Sequence, residues 1–220
     1  MTVYFINPNS TVSMTESIVE TARRVAPRLS IKGLTSHYGP PAIQGARDGA
    51  LAVPPLLAMV RTLAGTQPRG IIIGCFDDTG REEVGKIVPI PVVGIGQACF
   101  HYCAIRNWRF SVVTTLAVSI PVIEENIRNS GLDGHLGRVR AANIPVLDLE
   151  SSSDACQQRI TEEAGTALRE DNIDAVILGC AGMVHVSEAA QRELDRPILD
   201  PVKVATRCME WLLSASDRSR

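Results

Sequence analysis

Short apolar runs rich in Val and Ile alternate along this chain with longer stretches whose apolar residues recur every three or four positions. The first pattern is that of strands buried on both faces of a parallel sheet, the second that of helices packed against such a sheet. Eight runs qualify as strands: "VYFIN" (3–7), "IKGLT" (31–35), "GIIIG" (70–74), "VVGI" (92–95), "FSVVT" (110–114), "GRVRAA" (137–142), "DAVILG" (174–179) and "PILD" (197–200). Among the helical stretches, "VSMTESIVETARRVA" puts Ile18, Ala22 and Val25 on one face, with Asn9 or Ser10 placed to cap it. "SDACQQRITEEAGTALRE" does the same with Cys156, Ile160, Ala164, Ala167 and Leu168, which makes Cys156 core-facing. Pro201 suits the first turn of a closing helix, and Cys208 falls inside that helix. The expected fold class is α/β.

The eight strands divide into two sets of four that superimpose. "IIIGC" ends at Cys75 and "VILGC" at Cys180, each an aliphatic run, then Gly-Cys, then a turn toward a helix. Asn7, at the end of the first strand of one set, precedes Cys75 by 68 positions; Thr114 precedes Cys180 by 66. A strand resumes 18 positions after each cysteine, at Val93 and Ile198. The chain is therefore expected to form two pseudosymmetric lobes, each a four-stranded, mostly parallel sheet flanked by helices, with a cleft between them. The first lobe spans 1–95 together with the closing helix at about 201–214, and the second spans 96–200.

Bulk properties narrow the function. With 45% apolar residues in 220, the chain buries a substantial core. Its 22 basic and 24 acidic side chains leave a net charge of -2 with no basic stripe, which argues against a nucleic acid or an anionic membrane as partner. The start, "MTVYFINPNS", lacks the features of a signal peptide, and no apolar run is long enough to span a bilayer, so a cytoplasmic location is expected. Six cysteines, at 75, 99, 103, 156, 180 and 208, are then read as reduced. Cys99 and Cys103 lie one helical turn apart without zinc-site spacing, and the four histidines are scattered, so no metal is expected. "GIGQAC" lacks the third glycine of a dinucleotide fingerprint and follows a fourth strand, so no nucleotide cofactor is expected either. Trp108 and Trp211 read as packing residues.

Parallel α/β sheets bind ligands outside the carboxyl ends of their strands, and both Cys75 and Cys180 occupy that position. Taken alone, a cysteine after an aliphatic strand is core filler. Paired across a pseudo-twofold cleft, two sulfurs flank one bound molecule. That is the arrangement stereochemical inversion requires, one thiolate removing a proton from one face and one thiol returning it to the other. A cysteine at a helix start meets free N–H groups, which are expected to pull its pKa down toward neutrality. Donors for a developing enolate are offered by Asn7, Asn9 and Ser10 of "INPNST", by Thr114 and Thr115 of "VVTT", and by the small residues Ala181 and Gly182 of "GCAGM". Phe76 and Asp77, directly after the first cysteine, complete the expected substrate-binding set. Asp77 and Asp78 also read as N-caps or helix-dipole partners, and Asn7 and Asn9 as residues shaping an Asn-Pro-Asn turn.

"INPNSTVSMT", "GCFDDTGREE", "PVVGIG", "FSVVTTLAVSIPVIEEN" and "VILGCAGM", in this order, resemble the aspartate/glutamate/hydantoin racemase superfamily, in its hydantoin and allantoin racemase branch. The resemblance runs from Val3 to about Leu213. It implies a cofactor-independent racemase with active-site cysteines at Cys75 and Cys180, a small-molecule substrate and homo-oligomeric assembly. Two departures stand out. Asp77-Asp78-Thr79-Gly80 replaces a Gly-Asp-Pro-Gly turn, and Gln97 replaces a frequent glutamate. Three other readings stay open: racemisation of a free amino acid such as aspartate or glutamate, decarboxylation of a malonate-type acid, which in this superfamily resembles the case with one catalytic cysteine, and a ligand-binding protein without turnover.

Overall fold

The structure, a computed structural model, describes residues 2–151 and 153–216. All eight expected strands form, within a residue or two of their predicted limits: β1 (Thr2–Asn7), β2 (Ser30–Thr35), β3 (Gly70–Ile73), β4 (Val92–Gly94), β5 (Phe110–Thr114), β6 (Leu136–Ala141), β7 (Ala175–Gly179) and β8 (Ile198–Leu199). They make two four-stranded sheets, ordered β2-β1-β3-β4 and β6-β5-β7-β8. Every pairing is parallel, and the order is the same in both sheets once β1 is matched with β5. The central strands β3, β5 and β7 are buried along their whole length, which is why they read as unbroken apolar runs without alternation.

Among the described residues, eight α-helices connect and cover the strands: α1 (Val12–Val25), α2 (Ala46–Thr62), α3 (Arg81–Ile87), α4 (Ile95–Ile105), α5 (Ile120–Asn129), α6 (Asp154–Glu170), α7 (Ser187–Glu193) and α8 (Pro201–Ser216). Ile18 and Ala22 of α1 and Ile160, Ala164 and Ala167 of α6 are buried, as their spacing predicts. Helix α2 was not legible in the sequence because Pro54 and Pro55 lie inside it. Ala52, Leu56 and Val60 nevertheless repeat every fourth residue and are buried, while Pro54 is exposed. That face therefore holds the helix to the sheet although two ladder hydrogen bonds are missing.

Helix α8 begins at Pro201 and runs against the first sheet; a side chain at Gly70 of β3 would lie 2.5 Å from Met209 Sδ. One core cluster joins both halves, including Phe5, Ile72 and Phe100 with Phe110, Val112 and Ile177. Phe100 stacks on Phe110 at 5.7 Å and meets Phe76 edge-on at 5.6 Å, so the segment next to Cys75 is anchored in this shared core. Cys99 and Cys103 are buried in the core, and Cys156 and Cys208 are half-buried against it. Trp108 packs edge-on to Tyr102 beneath the Arg106 guanidinium. Trp211 departs from its expected packing role, being 60% exposed on the outer face of α8.

Candidate active site

The ends of β1, β3, β5 and β7 converge on one cleft. Its walls include Asn7, Asn9, Cys75, Phe76 and Asp77 from the first half, and Thr114, Thr115, Cys180, Ala181 and Gly182 from the second. The cavity between these walls is small, about 30 Å³, the room that one or two waters take. Of the residues expected from sequence, Ser10 is the exception and does not line it. The Ser10 N–H donates instead to the Pro40 carbonyl at 2.9 Å.

Both thiols are half-buried, but their partners differ. Cys75 does not open a helix: α3 starts six residues later, after a turn in which Asp78 (φ 50°) and Gly80 (φ 74°) take left-handed conformations. Its sulfur lies 3.4 Å from Thr79 Oγ1. Burial drives the Cys75 pKa well up, and the negative charge of Asp77 adds to this; the Thr79 contact and a backbone hydrogen bond at Asp77 oppose it. The expected lowering by helix N–H groups does not occur at this cysteine, because desolvation and a neighbouring acid outweigh a helix end that is not there. Cys180, in contrast, stands at the entry to a short 3-10 turn, Ala181–His185, and its sulfur accepts the Gly182 N–H at 3.4 Å. The two sulfurs are near enough that charge on Cys180 bears on Cys75.

The polar walls are partly committed to each other. Asn7 Nδ2 donates to Asn9 Oδ1 (2.8 Å), to the Thr11 carbonyl (3.1 Å) and to Thr15 Oγ1 (3.1 Å). Asn7 thus acts as the frame of the Asn-Pro-Asn turn. Asn9 Oδ1 accepts the Thr11 N–H at 2.9 Å, yet among the described residues its side-chain Nδ2 meets only the Met14 sulfur, at 3.4 Å. Neither Asn9 nor Ser10 is the N-cap of α1; that position is Thr11, whose side chain makes no capping bond. Thr114 Oγ1 donates to the Gly179 carbonyl at 3.2 Å and ties β5 to β7 at the cleft floor.

The two acids after Cys75 part company. Asp78 turns away and accepts the N–H groups of Gly96 (3.0 Å) and Gln97 (2.7 Å), capping α4 and not the helix that follows it in sequence. Asp77 lines the cleft, is 9% exposed, and has a buried Oδ2 with no hydrogen-bond partner among the described residues. Burial pushes both carboxyls up to about 7, against the N–H groups that each accepts.

Residues 3–209 match the sequence model of the family described as Asp/Glu/Hydantoin racemase. The chain belongs to that family. Within it, the chain is 35% identical to a hydantoin racemase of Rhizobium meliloti, with 98% of this chain and 90% of the relative covered. An allantoin racemase from Klebsiella pneumoniae superimposes with a TM-score of 0.92 at 32% identity, over 98% of this chain and 88% of the other. The allantoin racemase from Pseudomonas fluorescens gives 0.90 at 33%, over 98% and 92%. These relatives place this racemase-family chain among the isomerases, in the hydantoin and allantoin racemase branch.

Several cleft residues of this family member were not anticipated from sequence: Met14 and Ile18 of α1, Ile43 of a loop, Val146 at the start of a 3-10 turn, and Ser119 before α5. Met14, Ala42 and Val146 form a small apolar cluster against Cys180. Ile18 was read only as a core residue, and none of the others follows a strand end, so the counting that found the cysteines does not reach them. No lysine, arginine or histidine is among the described residues lining the cleft.

Proposed function

We propose that this protein racemises a 5-substituted hydantoin-type compound, allantoin included, without a cofactor, Cys75 and Cys180 exchanging a proton with C5 from opposite faces. The observation that carries the reading is a pair of thiols at equivalent strand ends on the walls of one cleft with no cationic lining residue. A hydantoin ring is uncharged and needs no cation to hold it. A free amino acid brings a carboxylate that would lie there unpaired, beside the added charge of Asp77, which weighs against the aspartate or glutamate reading. Two retained sulfurs likewise weigh against a decarboxylase with a single catalytic cysteine.

In the reaction, one sulfur enters as thiolate and removes the C5 proton. The electron pair passes into the adjacent ring carbonyl to give an enolate, and the opposite thiol protonates C5 from its own side. Burial and Asp77 push the Cys75 pKa up, which favours its thiol form. Asn9, whose side-chain N–H meets only a weak sulfur acceptor among the described residues, offers a donor to the developing oxyanion.

Polarimetry on a single enantiomer of allantoin or another 5-substituted hydantoin tests this reading. The wild-type protein should bring the rotation to zero, and Cys75→Ala and Cys180→Ala should each slow the decay by roughly 10³-fold or more, in the range of a lost acid–base group. Near-wild-type decay in either variant would overturn the mechanism, and an unchanged rotation with the wild-type protein would overturn the substrate class.

A further inference from the structure

A buried carboxylate oxygen without a donor costs stability, more so when charged. Asp77 Oδ2 is such an atom among the described residues, and it belongs to a residue that lines the thiol cleft. The Asp77 side chain stands in the wall shared by the thiol cleft and a second recess, which runs past Gly45, Gly49 and Thr79 to Glu125 and Asn126. The segment is fixed in that wall: Asn126 Nδ2 donates to the Asp77 carbonyl at 2.8 Å, Phe76 before it meets Phe100 edge-on, and the Gly45 backbone N–H bonds the carboxylate itself. An aliphatic group entering the recess would meet Val53 and Val122 but would also face the polar side chains of Asp77, Arg81, Glu125 and Asn126. A group bearing N–H donors would satisfy the acceptors among them, Asp77 Oδ2 first.

We propose that Asp77 Oδ2 accepts a hydrogen bond from an N–H group on the C5 substituent of the substrate, selecting hydantoins with a ureido or amide-like substituent over those with an alkyl one. This inference rests on the racemase reading above. In the planar enolate the substituent lies in the ring plane, between the two sulfurs and not toward either of them. A wall residue two positions from Cys75 therefore meets the substituent without obstructing either proton transfer. Asp77 is a specificity-determining residue in this account, and above about pH 7, where its carboxyl is ionised, the bond it makes is charge-assisted.

The test compares two substrates of the same substituent size. Allantoin carries a ureido group; 5-isobutylhydantoin replaces it with an alkyl group of equal heavy-atom count. In the wild-type protein kcat/KM should favour allantoin, and in Asp77→Ala the ratio of the two values should fall roughly tenfold to a hundredfold, as expected for a hydrogen bond to a charged group. Asp77→Asn, which keeps an acceptor oxygen, should lose less of the ratio, and it carries the same comparison if the alanine variant does not fold. An unchanged ratio in the variants overturns the inference. So does an equal fall for both substrates, which would assign Oδ2 to a ring N–H common to them. If the wild-type protein racemises neither compound, the racemase reading itself falls, and this inference with it.

Discussion

At the scale of single residues, Asp77 and Asp78 show how burial sets chemistry. Both carboxyls are raised to about 7 by desolvation, so between about pH 4 and pH 7 the folded protein binds more protons than the unfolded chain. Stability is then greatest on the acid side of that window and falls as pH rises through it. Asp78 recovers part of the cost through the N–H groups of Gly96 and Gln97, whereas Asp77 Oδ2 has no such partner among the described residues. Asp77→Asn should therefore raise the melting temperature by several degrees at pH 8 and leave it nearly unchanged at pH 4. A thermal-unfolding series across that range checks this, and a variant less stable than wild type at pH 8 would contradict it. The cysteine pair was legible from sequence because each follows an aliphatic strand at matching distances. The divergence of Asp77 and Asp78 was not, since it depends on the left-handed turn at Asp78 that sends one side chain to the cleft and the other to α4.

At the scale of elements, the turn after β3 and the start of α4 are built as one unit. Gly94 and Gly96 of "GIGQAC" lack side chains because Asp78 and the Phe76 carbonyl press against them; a side chain at Gly96 would overlap the Phe76 oxygen and crowd the Asp78 carboxylate. The two glycines are thus part of the support for the Cys75 turn. Gly96→Ala should destabilise the protein by about 1–3 kcal/mol, as overpacking does, and lower activity by moving that turn. Urea unfolding measures the first effect, and an unaltered midpoint would contradict the account. The strands were readable because buried parallel strands leave continuous Val and Ile runs. Helix α2 was not, because Pro54 and Pro55 mask a face that Ala52, Leu56 and Val60 hold down.

At the scale of the whole molecule, the matching order of the two sheets brings the ends of β3 and β7 to the same cleft. Bonds between the halves frame that cleft: the Val146 N–H donates to Gln44 Oε1 at 2.9 Å, and Asn126 of α5 donates to the Asp77 carbonyl. Neither bond was readable from sequence, since each joins a loop or helix of one half to a turn of the other. The repeat could still be counted along the chain, and with it the facing positions of Cys75 and Cys180. The central claim is that these two sulfurs act from opposite faces of one carbon. Its most direct measurement is racemisation of one allantoin enantiomer in deuterated water, followed by enantiomer-resolved mass spectrometry at low conversion. Two-base transfer predicts deuterium at C5 of the newly formed enantiomer and almost none in the remaining substrate. Deuterium appearing equally in both enantiomers from the start would contradict it.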